Sequence, residues 1–169
     1  PDGVTTIGDW AFAFCESLTS ITIPENVTTI GQNAFNGSNS LTNITIPDSV
    51  TEIGYMAFYS CSSLTSINIP NSVTTIGCYA FYGCQSLKKA VIGSGVKNIY
   101  SSAFENCYFL NEIICKPTTP PTATVYEGWN AFKSIGTSAK IYVPVGSGAA
   151  YKAADHWSDY ASIIEEKAM

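Results

Sequence analysis

The stretch LTSINIPNSVTTIGCYAFYGCQS, residues Leu64 to Ser86, decides the fold, because nearly the same 23 residues stand before and after it. The pair Ala-Phe occurs at Ala11-Phe12, Ala34-Phe35, Ala57-Phe58, Ala80-Phe81 and Ala103-Phe104, always 23 apart, and again at Ala131-Phe132 after 28. Val4, Val27, Val50, Val73 and Val96 keep the same step. So do Ile7, Ile30, Ile53, Ile76 and Ile99, and Leu18, Leu41, Leu64, Leu87 and Leu110. Apolar columns held in register over five copies make each unit one turn of a stacked solenoid, with the columns facing inward.

Within a unit, the alternating I-x-I is a half-buried strand, ended by a proline that cannot donate to a ladder. V-T-x-I-G is β-branched and predicts a second, shorter extended segment. In x-x-A-F-x-x-C the apolar residues lie three or four apart, which predicts one helical turn leading back to the next strand. Gly93 replaces the proline, Tyr100 the glycine and Ser38 one cysteine. Five residues are gained between Cys115 and Trp129, giving an inserted loop over 116–128 that starts with Lys116-Pro117-Thr118-Thr119-Pro120-Pro121. Register returns at Ile141. A helix over Ser147 to Ala154, within a closing segment 144–169, is expected to cover the end of the core. The chain reads as one domain over 1–169 of about six units. Because Pro1 falls midway through a unit, the chain is expected to be the C-terminal part of a longer protein.

The motif L-x-x-I-x-I-P-x-x-V-x-x-I-G-x-x-A-F-x-x-C closely resembles the BspA-like leucine-rich repeats of bacterial surface proteins. Ile141-Tyr142-Val143-Pro144, followed by Val145 to Ala154 and Trp157-Ser158-Asp159-Tyr160, is similar to the closing segment of such proteins in gut and oral anaerobes. The resemblance implies an α/β repeat solenoid: a right-handed leucine-rich repeat with a parallel β-sheet on the concave face, short second strands and helical turns opposite, and a C-terminal helical cap. It also implies an extracellular place on the bacterial cell surface, with signal and anchor outside this chain. The implied role is adhesion to proteins or glycans of the host or of neighbouring bacteria, with matrix and plasma proteins such as fibronectin and fibrinogen as the kind of partner.

Composition agrees. The chain has 169 residues, 12% of them charged, net charge -5 and no arginine. Such a chain is a poor nucleic-acid binder, because counterion displacement and guanine reading need basic side chains. No apolar run is long enough to span a membrane. With a single histidine, His156, a nucleophile–base pair or a histidine zinc site has little to draw on. Asp155, His156 and Ser158 are too close along one short segment to converge as a triad. No calcium loop or phosphate loop is present. The chain is therefore read as non-enzymatic, without cofactor or metal.

Six cysteines in an exported chain ordinarily suggest disulfides. Here Cys15, Cys61, Cys84 and Cys107 share one inward column. Their side chains run parallel rather than toward each other, so free, buried thiols are expected. Cys78 shares an outer column with Asp9, Gln32 and Tyr55, and Cys115 fills an isoleucine slot.

Two outward surfaces are candidates for binding. On the strands, Asn43, Thr45, Asn68 and Lys89 belong to columns that pass from small polar groups to a charged, more apolar end. The same ladders also solvate a sheet and favour strand geometry. Around the Ala-Phe turn, Tyr55, Tyr59, Tyr79, Tyr82 and Tyr108, together with Tyr100, should cluster. Exposed tyrosines suit interfaces, although packing between adjacent turns would also place them there. The expected function is an extracellular protein-binding or adhesion module. The alternative is a passive spacer that holds another domain away from the cell.

Overall fold

A computed structural model describes residues 3–123 and 130–169. The β-branched V-T-x-I segments build one parallel sheet of six two-residue strands. These are β1 (Thr6–Ile7), β2 (Thr29–Ile30), β3 (Glu52–Ile53), β5 (Thr75–Ile76), β7 (Asn98–Ile99) and β9 (Thr122–Ala123). Equivalent residues pair without slippage, Ile30 with Ile53 and Ile53 with Ile76, because a one-residue slip would turn the isoleucine column outward.

The I-x-I segments build the second sheet, of five parallel strands: β4 (Ser66–Ile69), β6 (Lys89–Ile92), β8 (Glu112–Cys115), β10 (Lys140–Pro144) and β11 (Ile164–Lys167). In the first two units the I-x-I segments make only an isolated bridge, between Thr22 and Thr45. These units lie at the end of the stack, where Ile21 is only partly buried. Threonines hold the turns together there. The amide and hydroxyl of Thr42 both donate to the carbonyl of Thr19, and those of Thr65 to Thr42. The column Thr5, Thr28, Thr51 and Thr74 repeats the hydroxyl-to-carbonyl bond on the other sheet.

The third side of each turn departs from the expected helical turn. The Ala-Phe corner is a run of tight turns, with Ala34 N donating to Gly31 O, Asn36 N to Asn33 O and Ser38 N to Phe35 O. Two residues per corner hold positive φ, among them Trp10 with Phe14, Met56 with Ser60, and Tyr79 with Gly83. Left-handed residues break a helix. They also turn alternate amides toward the neighbouring unit, so Phe35 N donates to Ala57 O and Phe58 N to Ala80 O, each at 2.7 Å. All three sides are thus hydrogen-bonded between turns.

The core is one continuous cluster from Ile7 to Ile164. Its spine is the column Phe12, Phe35, Phe58, Phe81, Phe104 and Phe132, whose rings stack at 5.0 to 5.4 Å within 10° of parallel. Beside it, the thiols of Cys61, Cys84 and Cys107 donate to the carbonyls of Phe35, Phe58 and Phe81 at 3.1, 3.3 and 3.1 Å. Ser38 makes the same bond to Phe12 at 2.7 Å. The sequence departure at Ser38 therefore keeps the column's hydrogen bond.

The inserted segment is not wholly a loop. Thr122–Ala123 forms β9 and pairs with Asn98 and Ile99 of β7; residues 124–128 lie outside the described residues. The prolines before β9 are fastened from the C-terminal segment, where Tyr151 Oη donates to Pro117 O at 2.9 Å and Trp157 Nε1 to Pro121 O at 2.8 Å. The expected helix is present as α1 (Gly148–Ala153), followed by a 3₁₀ helix (Ser158–Ile163). The sheet itself ends on β11, paired in parallel with β10. Trp157 and Tyr160 close the phenylalanine stack, 5.5 and 5.9 Å from Phe132.

Candidate functional site

The two candidate surfaces differ in how far their polar groups are already used. On the strand face, Asn43, Thr45 and Asn68 are exposed and Lys89 is half-buried. Asn43 and Thr45 border a shallow hollow of about 330 Å³ with Ser20, Thr22 and Glu25. Farther along, the charges pair with each other. Lys89 Nζ lies 3.2 Å from Glu112 Oε2, Lys140 pairs with Glu165, and Lys167 Nζ sits 4.6 Å from the ring centre of Tyr142. Lys89 is thus one rung of a charge ladder rather than an unpaired cation.

The corner gathers the tyrosines because they occupy two neighbouring columns. Tyr59 and Tyr82 sit one repeat apart immediately after the core phenylalanines, so their rings stack at 5.0 Å and 3°. Tyr79, two residues before Phe81, meets Tyr82 edge-on at 5.7 Å and Tyr55 edge-on at 6.0 Å. The four rings form one connected cluster. Tyr55 is 42% exposed and Tyr108 is 52% exposed. Tyr108 lies near enough to influence the Tyr82 phenol, whereas Tyr100 is half-buried in the glycine column.

Column arithmetic also brings in residues that reading for aromatics misses. Glu105 stands where Tyr59 and Tyr82 stand, and Lys133 follows it one unit later. Asn106 Nδ2 donates to Tyr82 Oη at 2.7 Å. Burial, then the neighbouring Glu105 carboxylate, pushes the Tyr82 phenol up. Burial, then Tyr55 and Glu105, does the same to Tyr79. Both phenols therefore stay neutral donors at physiological pH. The corner presents aromatic edges, phenolic hydroxyls and one carboxylate, and among the described residues no cluster of His, Cys, Asp and Glu could hold a metal ion.

Comparison with known proteins bears on the scaffold. The profile of the BspA type leucine-rich repeat region matches residues 1–119 in six copies. The T. pallidum leucine-rich repeat protein is similar in structure over 100% of this chain and 83% of that one, with 30% identity and a TM-score of 0.71. A leucine-rich repeat protein of Bacteroides ovatus matches 83% of this chain and 43% of its own at 26% identity and TM-score 0.50. The pneumococcal vaccine antigen PcpA shares the fold over 89% of this chain and 40% of its own, at 20% identity and TM-score 0.61. No protein of curated function matches significantly. The repeat, its two sheets and these matches agree: the chain belongs to the BspA-type leucine-rich repeat family.

Proposed function

We propose that this chain is a non-enzymatic, extracellular protein-binding module of a bacterial cell-surface protein, and that its whole length serves as one repeat domain closed by residues 144–169. The observation that carries this reading is the corner cluster of Tyr55, Tyr59, Tyr79 and Tyr82. A passive spacer gains nothing from aromatic rings at a solvent-facing edge, whereas rigid tyrosines give contact area at low entropic cost. BspA-type repeats supply the surface context, and no described helix is long and apolar enough to cross a membrane. The self-paired charges of Lys89 with Glu112 and Lys140 with Glu165 favour the spacer as a second reading for the strand face alone.

A binding screen against immobilised matrix proteins, plasma proteins and glycans tests the proposal. A captured partner should lose at least about tenfold in affinity, roughly 1.4 kcal/mol, with Tyr59→Ala and Tyr82→Ala combined, while the variant's urea midpoint stays close to the parent. Unchanged affinity would move the interface away from the corner. No capture of any partner would favour the spacer.

A further inference from the structure

The corner holds one group that the fold does not satisfy. Glu105 is 7% exposed, and its Oε2 is buried with no hydrogen-bond partner. Its only ion pair among the described residues is with Lys133, whose Nζ is 3.9 Å from Oε1. Charge-assisted hydrogen bonds between ammonium and carboxylate run at about 2.7–2.9 Å, so this contact is loose. Native proteins rarely leave a buried carboxylate oxygen in this state unless the group has another use.

The surroundings indicate that use. Tyr79, Tyr82 and Tyr160 all lie within the electrostatic reach of Glu105, and aromatic rings attract cations and cover methylene stems. A hollow of about 390 Å³ opens beside Glu105's neighbours Lys133 and Tyr160. The Lys133 side chain is 51% exposed, so it can yield its place to water-borne competition at little cost. The whole chain carries net charge -5, which draws basic partners.

We propose that the tyrosine corner around Glu105 receives a lysine side chain of a partner protein, its ammonium donating to Glu105 Oε2 and its stem lying along the tyrosines. The inference rests on the protein-binding reading given above. Lysine fits better than arginine: one carboxylate oxygen already faces Lys133, and a planar guanidinium gains most from two acceptor oxygens, whereas an ammonium is a compact point donor. A neutral hydroxyl ligand would leave the buried charge uncompensated. Lys133 is then an intramolecular occupant of the same site, loosely seated and displaceable.

The test is an NMR titration of the full chain with the blocked peptide acetyl-Gly-Lys-Gly-amide, alongside its Nε-acetylated and arginine counterparts. The lysine peptide should shift the amides of Tyr79, Tyr82, Glu105 and Asn106, and the acetylated peptide should not. Glu105→Gln should weaken binding at least about tenfold, while Lys133→Met should strengthen it about threefold or more. Lys97→Met, with the same charge change elsewhere, should stay within about twofold of the parent. Equal response to the acetylated peptide, shifts confined to other surfaces, or no gain from Lys133→Met over Lys97→Met would overturn the site. A thermal melt checks that Glu105→Gln folds; if it does not, the Lys133 and Lys97 pair decides. Matrix proteins that bind Glu105→Gln like the parent yet fail to bind the tyrosine variant would overturn lysine recognition and leave adhesion standing. If none binds at all, adhesion falls and the peptide titration still decides the lysine site.

Discussion

At the scale of single residues, the cysteine column shows how a chemically reactive side chain can serve as a structural one. Each inward thiol donates to a phenylalanine carbonyl of the preceding turn, and Ser38 shows that a hydroxyl does the same. Burial pushes the thiols of Cys61 and Cys107 up from 9.0 to about 12. Because the folded pKa is raised, the neutral form is favoured in the fold. The stability it contributes is complete below pH 9 and is lost as pH rises toward 12. Cys61→Ser with Cys107→Ser should therefore raise the pH midpoint of alkaline unfolding, followed by circular dichroism, at a cost of no more than about 2 kcal/mol at pH 7. An unmoved alkaline midpoint would show that other groups set it. Glu105 teaches a different lesson. Its position in the tyrosine column can be counted from the repeat, but its burial and its unpartnered oxygen depend on what packs around it.

At the scale of elements, the strands were legible and the corner was not. I-x-I and V-T-x-I alternate in the way a half-buried strand must, and both became parallel ladders, apart from the first two I-x-I segments. A spacing of three or four around Ala-Phe is shared by a helical turn and by consecutive tight turns. What separates them is the sign of φ at Trp10, Asn33, Met56, Tyr79 and Ser102, a column without a single glycine to announce it. The insertion behaved similarly, since proline content indicates an extended loop but not that β9 would continue the sheet. Its anchoring can be measured. Trp157→Phe retains an aromatic ring and removes the donor to Pro121, so it should cost about 1–2 kcal/mol in urea unfolding and speed tryptic cleavage after Lys116. Cleavage at the parent rate would mean that the hydrogen bond does not hold the segment.

At the scale of the molecule, stability runs along one axis, since each turn touches mainly its neighbours. Phe81 is fully buried between Phe58 and Phe104, whereas Phe12 is partly exposed and stacks on Phe35. Phe81→Ala should cost about 3–5 kcal/mol and Phe12→Ala clearly less, in denaturant unfolding. Equal losses would contradict a stack whose middle carries more than its end. Sequence alone determined the period, the inward columns, the parallel register and the family, because a solenoid converts linear repetition directly into neighbours in space. It also placed the tyrosines at the corner. Tertiary structure alone decided that the corner is built from left-handed turns, that Lys89 is paired with Glu112, and that Glu105 is sealed beside Tyr79 and Tyr82. Those outcomes depend on distances between side chains from different turns, and a column in a sequence says which residues are stacked without saying which of their atoms meet.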